Sequence, residues 1–460
     1  MKKMFTKFFS AIFLFTFMLA GLTVKAQTLA AVSNTPAVSS SNVTTEAKPA
    51  VKAETTASTA VKTETKAAED TSWKPQRRLW GYAFGDMYYD AHADLGNRGP
   101  ETMYNGVPQY RNAFQFRRMY LGYDYDITQK FKAEVLLASE PNANTGVNGT
   151  TSIQNGDNLV DGKMAFWIKN FNLRVRDVWT GTDFVIGEMS TPGFALNEPG
   201  TNGPTSLSEA TWGYRSIEKT ITDFHKNNSY DVGASLQGTF DPATKNFGYV
   251  FMVGNNSQAS LLSAANANTG FYKIFYGDIW GKFMDKKLYV DFYADYAKTA
   301  AATAVIPGQE HNMYKIFAAY NTKPVTIGVE AYVQNIASGV TNTTTKSPED
   351  ATVKGISIWA RGNFAKNWNY YARYDSYNPN SDYSTSDSYT VNTNYGSYTP
   401  LYKETFYTAG VDYNPTKNVH FMPNFWAIYY RDQRDPSVAG YFHNDHTLVY
   451  RFTFFYTFGK

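Results

Sequence analysis

From Trp73 to the C-terminus the chain alternates. Segments of about ten to fourteen residues place apolar or aromatic side chains at every second position, polar ones between them, and turn residues at each end. In Leu288-Tyr289-Val290-Asp291-Phe292-Tyr293-Ala294-Asp295-Tyr296 one face is Leu, Val, Phe, Ala and Tyr, and the other carries Asp291 and Asp295. In Ile327-Gly328-Val329-Glu330-Ala331-Tyr332-Val333-Gln334 one face is wholly apolar, and the other carries Glu330 and Gln334. Tyr230 to Gln237 alternates in the same way around Asp231, and in Phe131 to Val135 the side chains of Lys132 and Glu134 point away from the apolar face. A period of two is the signature of a strand with two unlike surroundings.

Sixteen such strands fit between residues 78 and 459, and their connections alternate in length. Short ones fall near 127–130, 177–182, 241–245, 285–286, 323, 365–366 and 415–417. Long ones fall near 91–110, 141–161, 191–228, 257–270, 300–310, 338–351, 379–402 and 433–444. The pattern predicts an all-β, transmembrane, antiparallel up-and-down barrel of about sixteen strands, with short periplasmic turns and long outer loops. A soluble β-sandwich also has period two, but its strands are shorter and its loops need not alternate. In the last strand, Tyr450, Phe452, Phe454, Tyr456 and Phe458 form one aromatic stripe facing lipid, and Arg451 faces the other way. An aromatic terminal strand is what an outer-membrane assembly machinery reads, which makes that machinery and outer-membrane lipid the expected partners.

Composition agrees with a barrel. Aromatics reach 17%, with 35 Tyr and 32 Phe, while charged residues are only 18%. There is no Cys, which excludes a disulfide framework, thiolate metal sites and a thiol nucleophile. The N-terminus reads as a secretory signal peptide over residues 1–26: Lys2, Lys3 and Lys7, an apolar stretch from Phe8 to Leu22, then Val24-Lys25-Ala26. Residues 27–72 hold no aromatic and are dominated by Ala, Thr, Ser, Val, Lys and Glu, which predicts a disordered periplasmic linker before a barrel at 73–460. Once these two segments are set aside, basic and acidic residues are equal in number, so the charge balance offers nothing to nucleic acid.

Sixteen strands enclose an aqueous bore rather than a packed core. The expected pore-lining residues are Lys132, Glu134, Asp231, Asp291, Asp295, Glu330 and Arg451. Arg117-Arg118-Met119-Tyr120-Leu121-Gly122-Tyr123 with the hairpin after it resembles the start of the phosphate-selective porin O and P group. So do Phe184-Val185-Ile186-Gly187-Glu188 leading to Thr191-Pro192, the stretch Tyr214 to Lys219, and Tyr230-Asp231-Val232-Gly233. The variant it looks most like is the Bacteroidetes type. The resemblance implies a channel, often a homotrimer, in the outer membrane of a Gram-negative bacterium, whose long inward loop narrows the pore. That loop would be 191–228, with Arg215, Lys219, His225 and Lys226 at the constriction.

The expected function is passive diffusion of small hydrophilic solutes or ions, phosphate-type anions among them. The alternative is an outer-membrane hydrolase of phospholipase or protease type. No Gly-x-Ser-x-Gly elbow is present. Asp86, Asp90 and His92 gather at the end of the first strand, and His443-Asn444-Asp445-His446 reads as a solvated turn. Neither set is assigned a catalytic, metal or cofactor role.

Overall fold

The computed structural model describes residues 73–99, 103–139, 159–160, 163–164, 166–194, 219–225, 229–256, 272–301, 308–322, 324–392 and 401–459. The signal peptide and linker segments lie outside these. Sixteen strands form the wall. They are β1 (Arg77–His92), β2 (Asn112–Asp126), β3 (Phe131–Ser139), β4 (Trp167–Trp179), β5 (Thr182–Ser190), β6 (Tyr230–Thr239), β7 (Phe247–Gly254) and β8 (Ile274–Phe283). The other half is β9 (Leu288–Ala301), β10 (Gly308–Asn321), β11 (Val325–Asn342), β12 (Pro348–Ala365), β13 (Trp368–Asn378), β14 (Tyr402–Thr416), β15 (Val419–Asp432) and β16 (Asp445–Phe458).

Each strand pairs antiparallel with its sequence neighbours, and β1 also pairs with β16, from Gly81↔Phe458 to His92↔Leu448. That pairing closes the barrel and leaves no free edge, as a lipid environment demands. No helix of the described residues is long and apolar enough to cross a membrane; crossing falls to the strands. Tight turns join β2 to β3, β4 to β5 and each later pair at one end, and the long connections gather at the other. Gly181 and Asn367 take left-handed φ values of 80° and 66° in two of these turns, which glycine and asparagine tolerate best.

Burial alternates along most of the wall, so the faces can be read directly. On β16 the side chains of Thr447, Val449, Arg451, Thr453 and Phe455 are inward, while Tyr450, Phe452 and Tyr456 are exposed on the outer face. Toward the tight-turn end the interior holds Phe84, Tyr120, Trp280, Phe317, Trp359 and Tyr371. Several inward rings pair across the ladder with glycine: Trp80 with Gly122, Trp280 with Gly248, Trp359 with Gly328, Tyr332 with Gly355 and Tyr371 with Gly410. A Cβ at Gly122, Gly248 or Gly328 would collide with the indole opposite, so each ring lies down on the wall over its glycine.

The structure departs from the sequence reading in two places. The strand expected at 162–176 runs over Trp167–Trp179, and the long connection expected at 338–351 is largely strand. β11 and β12 are 18 residues each, beyond the roughly ten needed to span a bilayer. At the rim of this hairpin Val340 is fully buried and the short strand Tyr389–Val391 pairs with it, so its side chains answer to local packing rather than to lipid on one face and a bore on the other, and the period-two signal fades.

Candidate functional site: the inner wall

A charged belt runs around the interior between the aromatic layers. Asp86 on β1 is fully buried. It accepts hydrogen bonds from the Arg451 guanidinium at 2.8 and 2.9 Å, from the Thr453 hydroxyl at 2.6 Å and from the Gln115 amide at 3.1 Å. Arg451 also lies 4.2 Å from the centroid of Trp426. These contacts cross the β1–β16 seam, so the closure is ionic as well as a backbone ladder.

Beside them, a bulge changes what β2 can present. Phe84 pairs with Arg118 but Gly85 pairs with Phe116, leaving Arg117 as the extra residue. A bulge re-aims the side chains next to it and shifts the alternation by one position. Arg117 and Arg118, adjacent in sequence, are therefore both buried on the inner face. The β3–β4 ladder repeats the device: Leu136 pairs with Asn170 and Leu137 with Ile168, which brings Lys169 inside as the extra residue. Its ammonium lies 4.9–5.3 Å from the rings of Tyr230, Tyr120 and Trp167.

The residues read from the alternation line this interior. Lys132 and Glu134 are ion-paired at 2.7 Å on β3, and Arg174 approaches Glu134 at 3.6 Å. Asp231 accepts from the Tyr276 hydroxyl and the Asn256 amide, both at 2.8 Å. Asp295 accepts from the Tyr293 hydroxyl at 2.6 Å and the Met313 amide at 3.1 Å. Asp291 is buried, as is Asp278 on the neighbouring strand. Glu330 faces Lys315 at 3.8 Å. All seven side chains, Arg451 included, lie on the inner face.

Taken around the ring, the charges segregate. β2 to β4 contribute Arg117, Arg118, Lys132, Lys169 and Arg174 against Asp124, Asp126 and Glu134. β6 to β11 contribute Asp231, Asp278, Asp291, Asp295 and Glu330 against Lys315. The alternation could have yielded Asp278 and Lys315, which sit at inward positions of regular strands. The bulged pair Arg117-Arg118 could not be read that way.

Of the expected constriction residues, Arg215 and Lys226 lie outside the described residues. The rest of the segment's described portion is bonded to the wall. The carbonyl of Lys219 accepts from Arg373 and that of Gly193 from Lys315. Thr220 caps the helical turn α1 (Ile221–Phe224) by accepting from the Asp223 amide at 3.1 Å. His225 donates from Nδ1 to the Ile221 carbonyl at 2.7 Å, meets Glu404 at 3.0 Å through Nε2, and stacks on Tyr377 with centroids 3.4 Å apart. Thr222 reaches Glu330 at 3.4 Å. Phe224 packs on Phe406 and Trp426 beside Tyr104, which enters from the β1–β2 connection.

The grouping of Asp86, Asp90 and His92 is corrected. Asp90 pairs with Val449 and His92 with Leu448, so Ala91 is bulged and His92 leaves the face that Asp86 and Asp90 share.

No protein-family model matches the chain, and no curated protein matches it. Among solved structures it is similar to the outer membrane channel DcaP of Acinetobacter baumannii, with 9% identity and a TM-score of 0.52 over 84% of this chain and 97% of that one. It is also similar to the anion-selective porin from Comamonas acidovorans, with 12% identity and a TM-score of 0.50 over 84% of this chain and all of that one. At these identities the likeness is one of fold: the wall is built like an outer-membrane porin barrel.

Proposed function

We propose that this chain is an outer-membrane porin, a passive passage for small hydrophilic solutes and ions. The observation that carries the reading is the segregation of charge on the inner face of a closed sixteen-strand wall. A barrel of this width is too wide for its own side chains to fill, and charge is expensive against lipid but useful beside water. A basic arc facing an acidic arc sets a field across the bore, which holds ions of each sign to opposite walls. The inward segment around α1 narrows the outer half.

Phosphate-type anions are the finer reading. It rests on the arc of Arg117, Arg118 and Lys169 and on the resemblance to the phosphate-selective group. The remaining expectations belong here too: export after loss of residues 1–26, insertion by the barrel assembly machinery, and association as a homotrimer in outer-membrane lipid. The hydrolase alternative would need a nucleophile beside a histidine–carboxylate pair; His225 is bonded to Ile221 and Glu404, and His420 to Asp412 at 3.0 Å.

The test is conductance of the refolded chain in planar bilayers across a KCl gradient, with phosphate added. Stepwise openings are expected. Arg118→Glu with Lys169→Glu should move the reversal potential toward cation preference, and Asp231→Asn with Glu330→Gln toward anion preference. Block of chloride current by phosphate that vanishes in the first variant would support the anion reading. Folded protein that never opens would overturn the porin reading.

A further inference from the structure

The outer end of the barrel seam gathers three metal-capable groups. His92 ends β1, and Asp445 and His446 begin β16. Each offers one donor atom, and these atoms lie within 4.8 Å of one another. His92 Nε2 and His446 Nδ1 are both 3.7 Å from Asp445 Oδ1. We propose that His92, Asp445 and His446 bind one divalent transition-metal ion of the zinc class.

Three observations support it beyond proximity. First, His92 Nδ1 lies 2.8 Å from the His446 carbonyl. A carbonyl only accepts, so Nδ1 carries the proton and the lone pair is on Nε2, the atom turned toward Asp445. Ligating histidines typically have their second nitrogen engaged in this way. Second, Asp445 Oδ2 accepts from the Leu95 amide at 3.0 Å, which orients Oδ1 toward the two imidazoles. Third, the backbone around the site is stitched together. Asp94 donates its amide to Thr447, Arg98 reaches the His443 carbonyl at 3.1 Å, and Arg98 is fixed by a buried pair with Asp94 at 2.7 Å.

The imidazoles stack at 4.0 Å with planes 12° apart, and Tyr429 stacks on the far side of His446. Nearly parallel lone pairs do not converge, so one ring turns about χ2 when the ion enters, exchanging the stack for two metal–nitrogen bonds. All three residues are half-buried, leaving one side of the ion to water. Two imidazoles and one carboxylate suit zinc or its neighbours; calcium and magnesium prefer oxygen donors throughout. The ion would tie the first strand to the last at the outer rim, beside the connection that carries Tyr104 into the bore.

The experiment is calorimetric titration of ZnCl2 into the folded full-length chain in detergent, with folding checked by its shift on unheated gels. One zinc per chain is expected, with at least a tenfold loss of affinity in His92→Ala, His446→Gln and Asp445→Asn and no change in His443→Ala. Calcium should give no heat of binding at the same concentrations. The proposal is overturned by folded wild type that takes up no zinc saturably, by site variants that bind as wild type does, or by loss of binding in His443→Ala alone. The His446→Gln variant keeps a polar side chain of similar reach, so loss of binding there is separable from loss of the rim.

Discussion

At the scale of single residues, Asp86 has the most to lose. Removing one partner of a buried ion pair leaves the other charge without compensation and costs about 3–5 kcal/mol. Asp86→Ala should therefore lower the urea midpoint sharply, because Arg451 loses its carboxylate and Arg117, 3.8 Å from it, loses the same counter-charge; Asp86→Ala with Arg451→Met should recover part of the loss. Equal midpoints for the single and double variants would show that the pair is not coupled. A milder case is Asp241 in the turn between β6 and β7. Burial pulls its carboxyl up, but the Thr244 hydroxyl and the Phe247 and Asn246 amides outweigh that and hold it below its usual value. A depressed carboxyl stabilises the fold at pH above its ordinary range near 4, and the contribution is lost as pH falls through the lowered value. Asp241→Asn should be less stable than wild type at pH 7, and the gap between them should shrink as the pH drops below about 4.

At the scale of elements, bulges decide which side chains reach the bore. Deleting Arg117 would close the β2 bulge while keeping its flanking pairs, Phe84 with Arg118 and Gly85 with Phe116. Phe114 would stay outward and Gln115, the partner of Asp86, inward, because only a slip in pairing exchanges the faces. The deletion should therefore refold as Arg117→Ala does, each losing one cation from the inner wall; comparing their gel shifts checks this, and loss of folded yield in the deletion alone would show that β2 slips against β1. The same elements show what the sequence makes legible. Strands β6, β9 and β11 and the inward faces of Asp231, Asp291, Asp295 and Glu330 are readable because lipid on one side and a polar interior on the other enforce alternation. Bulges at Ala91, Arg117 and Lys169 leave no such trace, because an inserted residue looks like any other until its partner strand is known. For that reason alternation alone groups His92 with the wrong neighbours and passes over Arg118 and Lys169. The upper part of the β11–β12 hairpin is hidden for a different reason, because it packs against the short strand Tyr389–Val391 instead of facing lipid on one side.

At the scale of the whole molecule, an equal count of opposite charges still yields a polarised bore, because sign depends on which strand carries each group. On the porin reading the segment around α1 narrows the bore, and His225→Ala, which removes its contacts with Glu404 and Tyr377, should then give larger and noisier conductance steps than wild type. Unchanged steps would place the constriction elsewhere. The indoles laid over glycine have a consequence of their own. A flat ring adds its thickness to the wall; a raised one adds its length. Gly328→Ala and Gly248→Ala, far smaller changes than any charge reversal, would prop Trp359 and Trp280 upright, and the aperture would shrink while its electrical character stayed the same. In this barrel, calibre and selectivity are adjustable by separate sets of residues.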